Sequence, residues 1–230
     1  MFKTYREFLN EDISIKYKKE NKPNPKKRIF SIVPNTSTFP SEKVLKYLDI
    51  PFDVNYFEDK DLEKKFNESK DEIGGIIIHG GPLVDMEQLK QIPKSILESK
   101  IPTLGICLGL EVLGTFLGAE LSKLPKSDET AGEKKSNLIQ CKLSDCELFN
   151  GIGDLPGTFD IPFNHKYKIN SRPKGTRIIA STIDTPVAGF HYPPTNSWCI
   201  QFGLGETLIG DKILSNFYYK ICLKQNEEGQ

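Results

Sequence analysis

The sequence predicts an α/β fold in which a mainly parallel central sheet is flanked by helices, with a small antiparallel portion near the C-terminus. Three observations carry this. Short β-branched and aromatic runs alternate with amphipathic segments through the first half of the chain, at the spacing of right-handed βαβ units. One run, Ile73 to Ile78 (IGGIII), is apolar throughout, as a parallel strand covered on both faces requires. Beyond about Leu121 the texture changes to several short strand-like runs, two of them joined by a strong turn signal.

Each element follows from local chemistry. Ile29 to Val33 (IFSIV) has the composition of a short buried strand. Ser41 stands where it can cap a helix over Glu42 to Leu48, with Glu42 in the first turn. A second strand is predicted near Phe52 to Phe57, a polar helix over Asp61 to Ser69, and an amphipathic helix over Met86 to Lys100. Thr103 to Ile106 is another buried strand. Lys123 to Ser136 is polar and glycine-containing, which predicts an exposed loop. Strands follow at Leu138 to Leu143, Ile161 to Phe163, Arg177 to Ser181, Val187 to Tyr192 and Trp198 to Phe202. The last two flank Pro193-Pro194-Thr195-Asn196 and should form a hairpin. An amphipathic helix over Leu208 to Leu223, with Ile213, Leu214, Phe217 and Ile221 on one face, closes the pattern. The expected organisation is a charged, flexible extension over residues 1–28, one domain over 29–224 and a polar tail over 225–230.

Composition narrows the functional classes. The chain has 230 residues, 37% of them hydrophobic and 27% charged, which is ordinary globular composition. Thirty-one basic residues balance thirty-one acidic ones, which argues against nucleic acid as a partner. The basic tract Lys16 to Arg28 reads as a solvated arm. No apolar run approaches the roughly 20 residues that span a bilayer, and the charged opening segment lacks a signal peptide's apolar stretch. Five cysteines without close pairs argue against disulfides and a zinc site. No GxxxxGK[ST] phosphate loop occurs. The expectation is a cytoplasmic protein without metal or cofactor.

The most informative segment is Pro102 to Gly114, PTLGICLGLEVLG. A buried strand runs into Gly105-Ile106-Cys107-Leu108-Gly109 and passes at once into helix. This is a G-x-C-x-G form of the nucleophile elbow, a turn so tight that the residues two before and two after the nucleophile must be small. Cys107 should project above the sheet at a helix N-terminus, where the dipole and free N–H groups favour the thiolate and raise its reactivity. The bland alternative is a buried core cysteine with incidental glycines. A second segment, His79-Gly80-Gly81-Pro82, follows the Ile73 to Ile78 strand and should share the carboxyl edge of the sheet, where such folds bind ligands. The Gly81 amide, with that of Leu108, could form a two-donor oxyanion hole.

GICLGLE and HGGP resemble the nucleophile and oxyanion segments of class I glutamine amidotransferases, most closely the glutaminase domain or subunit of GMP synthase. The resemblance extends through Gly118-Ala119-Glu120, Leu148 to Gly151, Phe163-Asn164-His165, Trp198 to Phe202 and Ile213 to Cys222. It implies a Cys–His–Glu triad that hydrolyses the glutamine side-chain amide through a thioester and passes the ammonia to a synthetase. Cys107 takes the nucleophile's position.

Three departures stand against it. Where the family reads Q-F-H-P-E, this chain reads Gln201-Phe202-Gly203-Leu204-Gly205-Glu206. Glu206 matches the orienting carboxylate, but a glycine replaces the imidazole it orients. General acid–base help of that kind is worth about 10²–10⁴-fold, so ordinary glutaminase activity should be impaired. Among the three histidines, His191 lies on the far side of the hairpin, opposite Trp198. His165 matches a pocket-wall segment, and His79 adjoins the oxyanion glycines as a substitute base, in a place where relatives usually carry a small hydroxyl residue. Finally, Glu111 replaces the family's glutamine in C-x-G-x-Q. It adds a carboxylate to the pocket that could hold the α-ammonium of glutamine or favour a more cationic ligand.

The leading expectation is a glutamine amidotransferase-like protein with Cys107 and Glu206 as catalytic groups and Gly81 and Leu108 as the oxyanion hole. Gly80, Glu111 and His165 would bind substrate. A separate synthetase is the expected ammonia acceptor, and glutamine or a related small amide the ligand. The alternatives are a catalytically inactive module that binds glutamine or a partner, and a cysteine hydrolase of another small amide such as a γ-glutamyl compound.

Overall fold

A computed structural model describes residues 27–34, 41–124, 137–204 and 208–223. Among the described residues the order of elements opens with β1 (Arg28–Val33), α1 (Glu42–Tyr47), β2 (Phe52–Tyr56), α2 (Leu62–Ser69) and β3 (Ile73–Ile78). A 3₁₀ segment (Met86–Lys90) and α3 (Lys94–Leu97) lead to β4 (Thr103–Ile106), α4 (Leu108–Phe116) and β5 (Leu121–Lys123). Then come β6 (Asn137–Leu143), β7 (Gly157–Phe163), β8 (Tyr167–Ile169), β9 (Arg177–Ser181), β10 (Gly189–Tyr192) and β11 (Ser197–Ile200). The last helix, α5 (Leu208–Asn216), continues as a π-helix over Phe217–Cys222.

The main sheet has the order β2-β1-β3-β4-β11-β10-β9-β6-β7, and β5 pairs with β8 in a separate antiparallel ladder. From β2 to β11 every neighbour is parallel; from β11 to β7 every neighbour is antiparallel. The α/β architecture is the expected one, with the antiparallel part continuing the same sheet further than the sequence pattern implied. Alternate residues of the central strands feed two cores on opposite faces. Ile29, Ile77 and Leu104 join α1, α5 and the π-helix in one. Phe30, Ile32, Ile76 and Ile78 join α2, α3 and α4 in the other. All six residues of β3 are buried, as its unbroken apolar sequence requires.

Several local expectations are corrected. The Ser41 side chain makes no capping hydrogen bond, and its backbone is already helical. Met86 to Lys100 is not one helix. The Asp85 side chain accepts from Gln88 N at 3.0 Å and starts a 3₁₀ turn, and Pro93, which has no N–H to continue a ladder, starts α3 afresh. The closing segment is not α-helical to its end. Five of the six π-helical residues are buried, more than one face of an α-helix would place inward. There the Tyr218 hydroxyl donates to Lys27 O and that of Tyr219 to Leu48 O. Strand structure begins at Arg28, whose guanidinium donates to both carboxylate oxygens of Asp53. The arm over 1–26, most of the Lys123 to Ser136 loop, Glu206 and the polar tail lie outside the described residues. Among those residues, no helix is long and apolar enough to cross a membrane.

Candidate active site

The site is built where β4 turns into α4. Ile106 pairs with Ile200 of β11, and Cys107 N donates to Ile200 O at 2.8 Å. Cys107 then adopts φ 51°, ψ −103°, a strained conformation for a residue with a side chain, and serves as N-cap of α4. The flanking glycines are needed sterically. A Cβ on Gly109 would lie 2.2 Å from Ile78 O, and one on Gly105 would lie 2.8 Å from Gly109 O. The helix therefore starts in direct contact with the end of β3.

That contact brings the His79–Pro82 turn against the cysteine. A Cβ on Gly80 would stand 3.0 Å from Cys107 Cβ. The backbone amides of Leu108 and Gly81 are close enough to the Cys107 sulfur to lower its pKa as donors. Two main-chain donors from two separate turns thus face the buried sulfur of a residue that is itself half-buried.

The thiol is not activated at rest. Burial, then the neighbouring Glu111 charge, push its pKa up to about 12; the Leu108 amide, Gln201 and the Gly81 amide oppose them without prevailing. The dipole at the start of α4 acts in the thiolate's favour, against that burial and charge.

Glu111 sits one turn along α4, its N–H donating to Cys107 O at 3.1 Å. Its side chain is 3% exposed, and burial pushes its pKa up to about 8, the hydrogen bond from Gln201 being the smaller, opposing cause. Gln201 is the site residue that the sequence pattern did not single out. Its Nε2 donates to Glu111 Oε1 at 3.3 Å and contacts Cys107 Sγ at 3.9 Å. Only the pairing of β11 with β4 brings Gln201 abreast of Cys107, and no local sequence signal specifies that register.

The other predicted residues divide. His79 is 1% exposed at the end of β3, and burial lowers its pKa to about 3, so its ring is neutral. His165 is also buried, and burial lowers its pKa; its ring meets Tyr167 O at 2.8 Å through Nδ1, which therefore carries the hydrogen. It reaches the Gln201–Gly203 segment through Phe163, which lies 5.5 Å from the His165 ring and 5.6 Å from that of Phe202. His191 pairs with Trp198 and stacks on it at 3.8 Å, as the hairpin register required. Gly203 is exposed, and a Cβ placed there meets nothing within 4 Å among the described residues. Among the described residues, no group of acidic, histidine and cysteine side chains has the arrangement of a metal site.

An elbow cysteine facing main-chain donors on a mixed α/β sheet describes the class of nucleophile-elbow α/β folds, and comparison with known proteins makes it specific. The family model for glutamine amidotransferase class-I matches residues 41–221, and the chain belongs to that family. Within it the chain is GMP synthase glutaminase-like. It is 32% identical over 162 residues to the GMP synthase [glutamine-hydrolyzing] of Thermosipho africanus, covering 67% of this chain and 30% of that protein. It is 27% identical over 174 residues to the enzyme of the same name from Thermomicrobium roseum, covering 75% of this chain and 30% of that one. The chain thus spans about a third of the length of these curated relatives. Among solved structures, a GMP synthase subunit protein from Thermoplasma acidophilum, so described by inference, superposes with a TM-score of 0.72. The match is at 21% identity and covers 88% of this chain and 98% of that one. A glutamine amido transferase from Methylobacillus flagellatus gives 0.54 at 15% identity, covering 79% and 71%. At such identities these two likenesses speak for the fold.

Proposed function

We propose that the protein binds glutamine, or a related small amide, and hydrolyses its side-chain amide through a thioester on Cys107, the ammonia passing to a synthetase. The observation that carries this reading is the sulfur of Cys107, held at a strained elbow under the amides of Leu108 and Gly81. The sulfur attacks the amide carbon and forms a C–S bond, while the carbonyl oxygen takes up negative charge. Those two N–H groups are the donors aimed at that charge. Collapse breaks the C–N bond and releases ammonia, and water then cleaves the thioester to give glutamate and the free thiol. Gly80 and Glu111 line the substrate's place beside the sulfur, His165 stands on its wall, and Glu206 is the carboxylate that the resemblance matches to the triad acid.

Turnover should be slow. The resting thiol is protonated, and Gly203 offers no imidazole to take its proton. The open space at Gly203 favours one second reading, a module that keeps the pocket and binds glutamine without hydrolysing it. Ammonia release by the purified chain separates the two. Slow turnover that disappears in Cys107→Ala supports the proposal. Bound glutamine with no Cys107-dependent ammonia leaves the binding module in its place.

A further inference from the structure

The proton of Cys107 needs somewhere to go. In the proposed reaction it must leave the thiol when the C–S bond forms and reach the departing nitrogen when the C–N bond breaks. Position 203, which the resemblance matches to that task, has no side chain. The neutral His79 ring, with a pKa of about 3, holds a proton too weakly to take one from a thiol at about 12. His165 is held through Nδ1 to Tyr167 O, Phe163 stands between its ring and that of Phe202, and no hydrogen bond joins it to Cys107.

One ionisable side chain does sit in the right place. Glu111 is 3% exposed, one helical turn from Cys107, and it shares a single amide group with the sulfur. Gln201 Nε2 is 3.3 Å from Glu111 Oε1 and 3.9 Å from Cys107 Sγ. The flanking strands β4 (TLGI) and β11 (SWCI) bring no ionisable group except the buried Cys199 thiol. Beyond these, the site described above brings His79 and His165, and the other elements packed on α4 carry Glu87 and Lys90 in the 3₁₀ segment and Tyr167 and Lys168 in β8. No cation lowers the Glu111 pKa: burial raises it and only the neutral Gln201 amide opposes.

We propose that Glu111 is the proton carrier for Cys107, replacing the side chain that Gly203 lacks, with Gln201 holding the two groups together. The inference rests on the reading of Cys107 as nucleophile. The Glu111 carboxylate makes no direct hydrogen bond to the sulfur at rest, and it accepts the S–H proton through one bridging water as sulfur attacks. The resulting carboxylic acid donates that proton to the leaving nitrogen, which departs as ammonia. In the second half the carboxylate takes a proton from the attacking water and returns it to the sulfur as the C–S bond breaks. Gln201 suits both states of its neighbour. Its Nε2 donates to the carboxylate, while its Oε1, which has no hydrogen-bond partner among the described residues, can accept from the acid after a half-turn of the amide. A folded pKa of about 8 leaves Glu111 able both to accept and to give near neutral pH.

The test is alkylation of Cys107 by iodoacetamide, read by mass spectrometry as a function of pH, because it needs no glutamine. In the wild-type chain the rate should climb with a half-point near pH 8. Glu111→Gln should slow it about tenfold or more, the order expected for loss of a general base. The double variant Glu111→Gln/Gly203→His should recover it. Electrostatics alone predicts the reverse, since removing a negative charge beside a thiol eases its ionisation. Equal or faster labelling of Glu111→Gln therefore overturns the proposal. On the wild-type chain alone, labelling that slows in D2O supports proton transfer in the rate-limiting step, and labelling indifferent to D2O contradicts it. Glutamine hydrolysis can fail while the Glu111 dependence of labelling survives, so the two proposals fall separately.

Discussion

Cys107 shows how one side chain's chemistry is decided by competition between local and surrounding effects. A helix N-terminus favours the thiolate, whereas burial and the Glu111 charge push the Cys107 pKa up. The outcome was not legible in the sequence, because the dipole is implied by the local pattern whereas burial belongs to the finished fold. Gly203 gives the converse case. Its identity was plain in the sequence, but the room around it was not. Since a Cβ there meets nothing within 4 Å among the described residues, Gly203→His should be accommodated without loss of stability. We expect it to raise Cys107-dependent ammonia release by about tenfold or more, within the range for general acid–base catalysis. A steady-state assay of the variant with an unchanged rate would mean that the imidazole does not reach the sulfur from this position.

At the scale of elements, the elbow is a junction of three pieces: β3, the end of β4 and the start of α4. The strand–elbow–helix order could be read from G-x-C-x-G because its small residues are a steric necessity of the turn. The contact that enforces it, Gly109 against Ile78 O, joins distant segments and appears only in three dimensions. Gly109→Ala would place a Cβ 2.2 Å from that carbonyl. It should cost about 3 kcal/mol or more, at or beyond the upper range for overpacking, measurable by urea unfolding, with the amides moved off the sulfur. The same distinction explains Gln201, whose role depends on the parallel register of β11 on β4. Other misses are of a different kind. The break within Met86 to Lys100 was present in the sequence as Pro93 and was outvoted by the apolar periodicity around it. The π-helical end of the last helix had no local signal, since its burial arises from the sheet beneath.

For the whole molecule, two buried groups tie stability to pH in opposite senses. Glu111 has a folded pKa of about 8 against an ordinary 4.5. Between those values the native chain holds a proton that the unfolded chain has lost, so stability falls as pH rises. His79 has about 3 against an ordinary 6.5. Between those values the unfolded chain gains a proton that the native chain refuses, so stability falls as pH drops. Each contributes roughly a kcal/mol per pH unit within its window. They offset each other between pH 4.5 and 6.5, where His165 and His191, whose pKa burial also lowers, add to the fall in stability on acidification, and Glu111 acts from 6.5 to 8. Chemical denaturation should show stability declining over that upper interval in the wild-type chain and a flatter profile in Glu111→Gln. The α/β architecture that creates these burials was itself readable from alternating runs such as IGGIII. The length of the antiparallel extension was not, because pairing order along a sheet is set by long-range contacts.

The central claim is that Cys107 attacks the side-chain carbonyl carbon of bound glutamine. A diazoketone analogue of glutamine, followed by peptide mass mapping, tests it most directly. The account predicts one adduct per chain, on the peptide containing Cys107, formed more slowly when glutamine is present. An unmodified Cys107, or label shared with Cys141, Cys146, Cys199 and Cys222 and indifferent to glutamine, would contradict it.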